Sequence, residues 1–276
     1  TSLKKNVLPN KVKIINVRLE REIYIMSDLL ALIKLIKIFR QGKYDIVHSI
    51  SLKAGLLSQI SARIASTPIR LHTFTGQLWA VKTGFVRYLF RLVDVIIVRL
   101  ASMVLLDSYA QRSFLISEGV LNHDNSYVLM NGSISGVDSK VFKPSPEIYH
   151  KFRKDMGLKS KSKIIIFIGR LTQDKGILDL IKAFDLVCKD VQDLHLILVG
   201  PDEGEIIKKV NLMSNNRSSI LFYDYTQDPE YYMQVSDILC LPSYREGFGN
   251  VIIEAAMCGI PSITSSIYGL KDAVEN

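Results

Sequence analysis

The most constraining feature of this sequence is the regular alternation of short, β-branched apolar runs with amphipathic segments of helical length. Strands that alternate with helices of about 10–15 residues are typical of βαβ units, in which the strands are parallel. The runs are apolar almost throughout, as expected when helices cover both faces of a sheet. The sequence therefore predicts an α/β fold. The predicted strands are residues 12–17, 45–50, 69–73, 103–106, 127–130, 163–168, 195–199, 220–223, 238–241 and 262–264.

The alternation is interrupted once, near the middle of the chain. The segment 131–138 is rich in Asn, Gly, Ser and Asp, and Pro144 and Pro146 follow it before a charged stretch begins. We therefore predict two doubly wound domains, residues 1–142 and residues 143–276. The predicted helices are residues 28–40, 54–65, 85–100, 110–118, 177–189, 205–213 and 251–258.

The composition excludes several classes of protein. With 48% hydrophobic and 22% charged residues, the chain resembles an ordinary globular protein. Asp94 and Arg99 interrupt its most apolar stretch, so no run reaches the roughly 18 apolar residues of a membrane-spanning helix. No secretory signal is visible, and three widely spaced cysteines favour a reducing compartment without a disulfide framework or a zinc cluster. We expect a soluble intracellular chain and, because each domain has only about five predicted strands, a fragment truncated at both ends.

The net charge of +8 is unevenly distributed along the chain. Residues 1–150 contain 20 Lys and Arg against 10 Asp and Glu, whereas residues 151–276 contain 15 against 17. The first half either meets an anionic partner, such as a membrane, a nucleic acid or a phosphorylated substrate, or has a solvated basic surface. One helix candidate there carries basic and apolar faces typical of helices at an anionic membrane, unless its apolar face packs on the sheet. Its cations are Lys82, Arg87, Arg91 and Arg99.

The segment 167–176 joins a predicted strand to a predicted helix and carries two cations. Gly169 ends the strand, and Arg170 and Lys175 follow before the helix begins. Cations at the carboxyl end of a strand, beside a helix N-terminus, can hold a diphosphate. The alternative is a basic loop in which Asp174 caps the helix.

A second strand–helix junction contains Gly-Phe-Gly between two acids. Gly247 and Gly249 permit close approach to the backbone, so amides at the helix start can face a phosphate. Glu254, four residues after Asn250 on the same helix face, could accept both hydroxyls of a ribose. Glu246 in the loop is placed to accept hydrogen bonds from a sugar. The alternative is a glycine turn whose acids are favoured by the helix dipole.

Several other phosphate-binding and catalytic motifs do not occur. The sequence contains no Walker A motif, no GxGxxG, no HExxH, no GxSxG and no Asp-x-Asp. Paired acids of the Asp-x-Asp type hold a divalent cation against a nucleotide diphosphate. We therefore expect phosphate binding without a metal.

Together these segments resemble the large retaining family of bacterial nucleotide-sugar glycosyltransferases, of the group 1 or family 4 type. The acids Glu246 and Glu254, eight positions apart around Gly-Phe-Gly, carry the resemblance together with the cations of the earlier loop. The string His-Thr-Phe-Thr-Gly-Gln-Leu-Trp-Ala, which starts at His72, is similar to a subgroup that extends lipid-linked sugars for capsule, O-antigen or glycoprotein glycans. The resemblance covers nearly the whole chain and includes residues 53–57, 72–80, 132–138, 199–203 and 241–249.

The resemblance implies a B-type glycosyltransferase fold, in which two Rossmann-like domains face a cleft, the first on the acceptor side and the second binding the donor. By position, Arg170 and Lys175 would hold the donor diphosphate, Glu254 the ribose and Glu246 the transferred sugar. His72 would contact the reacting sugar or the acceptor; the alternative is a strand-end histidine whose hydrogen bonds are satisfied within the fold. His72 and Glu246 are therefore the predicted catalytic residues. The predicted donor-binding residues are Gly169, Arg170, Lys175, Glu246, Gly247, Phe248, Gly249, Asn250 and Glu254.

The implied activity is retaining transfer of a sugar from a nucleotide-sugar, expected to be a UDP-sugar, to a polyprenyl-diphosphate-linked sugar in cell-surface glycan biosynthesis. We expect no cofactor and no metal, and a cytoplasmic enzyme held peripherally at the anionic inner face of the membrane. No nucleic-acid partner is expected, because the first half lacks a recognition motif with interleaved aromatics. The alternatives are a nucleotide-sugar epimerase of similar fold, which would need further acids and bases, and a non-catalytic or nucleic-acid-binding module, which the basic first half permits.

Two positions depart from the family pattern. The glycine-rich loop that usually follows the first strand has no match before Leu29, which favours truncation. Many members also have a second histidine after the one at His48, where this chain has Ser-Ile-Ser.

Overall fold

The computed structural model describes residues 12–20, 23–159 and 161–274. Within these residues strands and helices alternate, as predicted. The helices are α1 (Ile25–Gly42), α2 (Leu52–Ile64), α3 (Gly84–Leu100), α4 (Tyr109–Ser117), α5 (Pro146–Asp155), α6 (Ile177–Val187), α7 (Ile206–Met213), α8 (Pro229–Gln234) and α9 (Asn250–Met257). The strands are β1 (Ile46–Ile50), β2 (Ile69–Phe74), β3 (Met103–Leu106), β4 (Ser126–Val128), β5 (Lys163–Ile168), β6 (Leu194–Val199), β7 (Ile220–Tyr223), β8 (Ile238–Leu241) and β9 (Ser262–Thr264).

The strands form two parallel sheets. The first has the order β1-β2-β3-β4 and the second the order β7-β6-β5-β8-β9. The boundary predicted at residue 142 lies between β4 and β5, ahead of α5. In the second sheet the strand order reverses between β5 and β8, and ligands of open α/β sheets bind outside the carboxyl ends of the strands at such a reversal.

The second sheet holds the larger core. Ile166 of β5 and Leu196 of β6 are fully buried, because helices pack on both faces. On α6 the buried residues Ile177, Ile181 and Phe184 are spaced by four and three positions, so they form one helix face against the sheet.

The first sheet has its core around β2, β3 and α3, where Trp79 and Ile97 are fully buried. Its edge strand β1 alternates between buried and exposed positions. Ile46 and Ile50 on β1 are 56% and 44% exposed, and Leu30 on α1 is 65% exposed. This end of the first sheet therefore leaves apolar side chains uncovered.

The predicted strand at residues 12–17 is wrong. Residues 12–20 have no regular structure, and no described strand pairs with them. A strand within a sheet pairs its backbone donors and acceptors with a neighbouring strand, and this segment has none among the described residues. The side chains of Val12 and Ile14 are 52% and 45% exposed, so these β-branched residues are not buried as they would be in a strand of the core.

Helix α5 lies in the segment that the sequence analysis treated as a charged connection. Ser145 caps it by accepting a hydrogen bond from the backbone of Ile148, and Pro146 occupies its first turn. The buried Arg153 donates to the carbonyl oxygens of Val235 and Ser162, which fixes α5 to the second sheet. Serine followed by proline is a helix-start signal that could have revealed it.

No described helix is both long enough and apolar enough to cross a membrane.

Candidate active site

Two loops meet at the strand-order reversal of the second sheet. One follows β5 and contains a 3₁₀ turn, Gln173–Lys175, and the other follows β8. The amide of Tyr244 donates to the carbonyl oxygen of Asp174, and Arg245 forms an ion pair with the Asp174 carboxylate at 2.9 Å. Burial acts to raise the pKa of Asp174, but hydrogen bonds from Thr172 and Arg245 and the charge of Arg245 hold it below its ordinary value. These contacts fix the two loops to each other.

Gly176 lets the first loop pass close to the second. Its φ is +69°, and a Cβ there would overlap the carbonyl oxygen of Pro242. A side chain would therefore push α6 away from the loop after β8 and disturb the position of Lys175.

Lys175 and Glu246 form the central polar pair of the site. Lys175 Nζ lies 2.5 Å from Glu246 Oε1, and the hydroxyl of Ser243 donates to the same oxygen at 2.8 Å. The two side chains are only 16% and 14% exposed. A buried ion pair of this kind holds a cation and a hydrogen-bond acceptor in fixed positions at the cleft.

The glycine loop leads into the start of α9. Gly249 has a φ of +78°, and no side chain caps the helix at this end. The first amides of α9 therefore face the cleft with the positive end of the helix dipole behind them. A helix start of this kind binds anions such as phosphate.

These groups line one cavity of about 350 Å³ between the two domains. From the first domain Ser133 and Asp107 line it. Ser133 Oγ lies 2.7 Å from Asn250 Oδ1, so the turn-rich segment 131–138 contacts the start of α9. The predicted site residues in its lining are Lys175, Glu246, Gly247, Phe248, Gly249 and Asn250.

Three predicted donor-binding residues lie outside this lining. Gly169 directly follows β5, and Arg170 beside it pairs with Glu203 at 3.0 Å with a side chain 43% exposed. Glu254 lies one turn inside α9 and is half-buried, and burial, followed by the charge of Glu230, raises its pKa. In sequence, Arg170 follows the lining residue Ile168 by two positions and Glu254 follows Val251 by three.

Asp107 is a cavity residue that the sequence analysis did not identify. It directly follows β3, and its Oδ1 is buried without a hydrogen-bond partner among the described residues. Burial raises its pKa to about 6, although a backbone hydrogen bond from Ile134 acts in the opposite direction. The available signal was an acid at the carboxyl end of a strand, the edge where ligands bind in such sheets.

His72 lies in a neighbouring, smaller cavity. It is 1% exposed within β2, two residues before the strand ends at Phe74, and its Nδ1 lies 2.8 Å from the hydroxyl of Ser49. Burial, and then the nearby charge of His48, lower its pKa to about 4. His72 is therefore a neutral imidazole at neutral pH.

The two cavities are separated by a contact between the domains. A Cβ on Gly76 would lie 2.9 Å from the backbone carbon of Glu246, and one on Gly247 would lie 3.1 Å from the amide nitrogen of Gly76. Thr75 lines both cavities. On the outer side of this contact, Tyr268 stacks on Phe114 at 4.2 Å.

The part of the chain that the structure describes contains no group of three or more His, Cys, Asp or Glu side chains that could hold a metal ion.

The chain is similar in sequence to known glycosyltransferases. A family model described as Glycosyl transferases group 1 matches residues 149–276. The capsular polysaccharide biosynthesis glycosyltransferase CapM of Staphylococcus aureus is 30% identical over 264 residues, which cover 94% of this chain and 68% of the relative. The UDP-Gal:alpha-D-GlcNAc-diphosphoundecaprenol alpha-1,3-galactosyltransferase of Escherichia coli is 28% identical over 263 residues, which cover 93% of this chain and 66% of the relative.

Solved structures show the same fold. HepE from Anabaena, in complex with UDP and glucose, matches with a TM-score of 0.75 and 23% identity, covering 93% of this chain and 68% of HepE. Sucrose-phosphate synthase from Thermosynechococcus elongatus matches with a TM-score of 0.69 and 21% identity, covering 91% of this chain and 64% of the synthase. The predicted two-domain α/β fold is thereby confirmed, and this chain spans about two thirds of the length of these proteins.

Proposed function

This chain belongs to the group 1 glycosyltransferases and groups with enzymes of polysaccharide biosynthesis such as CapM, and from this premise we propose that it transfers a sugar from a UDP-sugar to a lipid-linked sugar with retention of configuration. The relatives described above are transferases by name, so they lend no support to the epimerase alternative. The observation that carries the proposal is the cavity in which Lys175 and Glu246 lie beside the uncapped start of α9.

The donor site follows from charge and position. The diphosphate of the donor binds at the first amides of α9, where Lys175 supplies a cation and Arg170 at the rim a second one. Glu246 accepts hydrogen bonds from the transferred sugar, and Glu254, one turn inside α9, accepts those of the ribose. Binding of an anion by Lys175 weakens its ion pair with Glu246, which releases Glu246 Oε1 for a sugar hydroxyl. UDP as the nucleotide is supported by the UDP-sugar named for the relative from Escherichia coli.

The reaction uses the leaving group as its base. The bond between the anomeric carbon and the diphosphate oxygen breaks, the acceptor oxygen bonds to the same face of that carbon, and the acceptor proton passes to the departing diphosphate. Lys175, Arg170 and the α9 amides stabilise the negative charge that develops on the diphosphate. These groups supply the positive charge that a metal provides in other transferases, so we propose a metal-independent reaction without a cofactor. The neutral His72 contacts the reacting sugar or the acceptor.

The acceptor is proposed to be a polyprenyl-diphosphate-linked sugar in capsule or O-antigen synthesis. The relative from Escherichia coli acts on a GlcNAc-diphosphoundecaprenol acceptor by name, which supports this class of substrate. A lipid-linked acceptor requires an enzyme that works beside a membrane. We therefore propose that the protein is cytoplasmic and binds the anionic inner face of the membrane peripherally.

The amino-terminal half of α3 is the surface that fits this role. The side chain of Phe85 is 75% exposed, and four further apolar side chains in this half of the helix are also exposed to solvent. Arg87 and Arg91 do not extend from the helix, because Arg87 pairs with Glu118 at 2.6 Å and Arg91 donates to the Glu118 carbonyl oxygen. Apolar side chains, with Lys82 beside them, therefore supply the contact with a membrane interface. The four further apolar residues are Val86, Tyr88, Leu89 and Leu92.

One experiment tests the reaction. The protein is incubated with UDP-sugars of several configurations and a short-chain GlcNAc-diphosphate lipid, and the product is analysed by mass spectrometry and NMR. We expect one disaccharide whose new linkage keeps the anomeric configuration of the donor. An inverted linkage would overturn the retaining mechanism, and an epimerised donor in the absence of acceptor would restore the epimerase alternative.

A further inference from the structure

The cavity around His72 has the features of a separate binding site. It measures about 170 Å³ and is lined by residues of the first domain, Gly76 among them, and by Arg245 of the second domain. Its size suits a single monosaccharide residue. We call it the Asp94 pocket, and its lining includes Leu52, His72, Phe74, Gln77, Asp94 and Arg245.

Asp94 is the unusual residue of this pocket. It projects from α3, is 2% exposed, and accepts a hydrogen bond from Trp79 Nε1 at its Oδ2, at 2.6 Å. No described cation lies within 4.0 Å of it, and its Oδ1 has no hydrogen-bond partner in the described part of the chain. Burial raises the pKa of Asp94 to about 7, even though the Trp79 hydrogen bond acts to lower it.

A buried carboxyl group without a paired cation lowers stability more than an apolar or amide side chain of similar size would. The buried Asp94 carboxyl group is therefore better explained by a role in binding than by a role in stability. Asp94 lines a cavity, where its unpaired Oδ1 can accept a hydrogen bond from a ligand hydroxyl or amide group.

His72 complements Asp94 in the same pocket. Ser49 Oγ accepts a hydrogen bond from Gln59 at 2.8 Å. Its own proton can go to His72 Nδ1 at 2.8 Å or to the Leu71 carbonyl oxygen at 3.5 Å, and we assign it to the nearer His72 Nδ1. On this assignment the neutral ring of His72, which lines the pocket, carries a donor proton on Nε2. Gly55 of α2 closes the other side, because a Cβ there would lie 2.6 Å from His72 Cε1. The ring is thereby held in place.

Building on the proposed function, we propose that the Asp94 pocket binds the sugar residue of the lipid-linked acceptor, with Asp94 Oδ1 accepting a hydrogen bond from it and His72 Nε2 donating one. Asp94 is then a specificity-determining residue. It selects acceptor sugars that present a hydroxyl or amide hydrogen at that position, since an analogue lacking it would leave Oδ1 buried and unpaired.

The surroundings of the pocket favour a lipid-linked sugar over a free one. Leu78 lines the pocket and is also 42% exposed. Beyond it, Val81 and Phe85 are 41% and 75% exposed and continue the apolar surface onto α3. A ligand with a sugar at one end and a lipid at the other matches a polar pocket whose outer edge joins an exposed apolar surface.

The test measures acceptor and donor binding separately. A short-chain GlcNAc-diphosphate lipid and, in parallel, UDP are titrated by calorimetry into the wild type and into Asp94→Asn. The asparagine oxygen keeps the Trp79 hydrogen bond, so its amide points into the pocket where an acceptor atom was. We expect the dissociation constant of the acceptor lipid to rise about tenfold or more, with that of UDP unchanged within about twofold. Trp79 is the only tryptophan of the chain, so its emission should change with the acceptor lipid and not with UDP.

Asp124→Asn is the matched control, because it removes an exposed carboxylate of the same domain outside the pocket. It should bind both ligands as the wild type does. If Asp94→Asn does not fold, His72→Gln decides, with the same expected loss of acceptor affinity. Equal acceptor affinity in wild type and variant, equal loss of acceptor and UDP affinity, or no acceptor binding by the wild type would overturn the pocket assignment. Failure of UDP binding or of sugar transfer by the wild type would instead overturn the proposed function.

Discussion

Lys175 Nζ and Glu246 Oε1 lie 2.5 Å apart, so the cation assigned to the donor diphosphate and the acid assigned to the donor sugar are each other's partner. Neither side chain is more than 16% exposed, and Ser243 holds the same carboxylate oxygen from the other side. When the donor binds, Lys175 therefore exchanges the Glu246 carboxylate for the diphosphate, and Glu246 exchanges Lys175 for a sugar hydroxyl, while the surrounding backbone stays in place. The two residues should respond to substitution in opposite ways.

Replacing Lys175 with Met should weaken UDP binding by about tenfold or more, because a charge-assisted hydrogen bond to phosphate contributes roughly 1.5–3 kcal/mol. Calorimetric titration with UDP measures the change. Lys182→Met is the control, since Lys182 lies on α6 with a side chain 65% exposed and away from the cavity. Arg170→Ala should also weaken UDP binding, and unchanged affinity in both Lys175→Met and Arg170→Ala would disprove the diphosphate assignment.

Replacing Glu246 with Gln should leave UDP affinity the same or slightly increase it, because Lys175 loses the anion that competes with the diphosphate. Sugar transfer should fall by about a hundredfold, as expected for a contact that orients the reacting sugar. Parallel measurement of UDP affinity and transfer rate separates the two effects. A loss of UDP affinity equal to that of Lys175→Met would show that Glu246 supports the lysine and does not bind the sugar.

Replacing Glu254 with Gln should reduce the preference for UDP over its 2′-deoxy analogue. A carboxylate accepts hydrogen bonds from both ribose hydroxyls, whereas an amide offers a single acceptor oxygen. The ratio of the two dissociation constants, in wild type and variant, is the measurement. Glu230→Gln controls for charge, because Glu230 acts on Glu254 electrostatically. If the wild type binds both nucleotides equally, Glu254 has no ribose role.

At high pH, replacing Asp94 with Asn should raise the free energy of unfolding above that of the wild type. The pKa of Asp94 rises from 3.8 to about 7 on folding, so the folded chain holds a proton that the unfolded chain releases. The stability linked to that proton is complete below about pH 4 and is lost as the pH rises through about 7. The loss amounts to roughly 2–4 kcal/mol at most.

The amide introduced by Asp94→Asn has no such proton to lose, hence the melting temperature of this variant should exceed that of the wild type by more at about pH 8 than at about pH 5. Thermal melts at both values measure this difference. Asp124→Asn should show no such dependence. A constant difference between Asp94→Asn and wild type across this range would mean that Asp94 ionises normally in the folded chain.

Replacing Phe85 and Leu89 together with Ser should abolish flotation with anionic vesicles, because both side chains lie on the exposed half of α3. Arg87→Ala is the informative comparison. It removes the ion pair with Glu118 and the contact of the guanidinium over the Trp79 ring at 5.1 Å, so it should lower the melting temperature and leave flotation intact. Flotation of the double variant at the level of the wild type would exclude α3 as the membrane contact.

Much of the donor cavity follows from local sequence rules. Lys175 and Glu246 each stand in a loop after a predicted strand, and the carboxyl ends of parallel strands share one edge of a sheet. That β5 and β8 are neighbours is a matter of strand order, which apolar patterning does not encode. Their adjacency is what brings the two residues together.

The contributions of the first domain were harder to predict. Asp107 and Ser133 reach the donor cavity only because the domains pack against each other, and no periodicity within either domain reports such packing. Asp94 interrupts an apolar helix, and its partner Trp79 lies fifteen positions earlier in the chain. Arg87 was expected to face solvent or a membrane, but its partner Glu118 is thirty-one positions away. Side chains that are so far apart in sequence are brought together only by the tertiary structure, so local sequence patterns do not predict these pairs.

The position of Gly76 affects the order in which substrates can bind and products can leave. It meets the backbone of Glu246 directly, and the cavities assigned to donor and acceptor lie on either side of that contact. A movement that separates the domains at this point widens both cavities at once. Binding of the two substrates and release of the two products would then depend on the same movement. A bulkier residue at position 76, which also lines the Asp94 pocket, should therefore slow turnover.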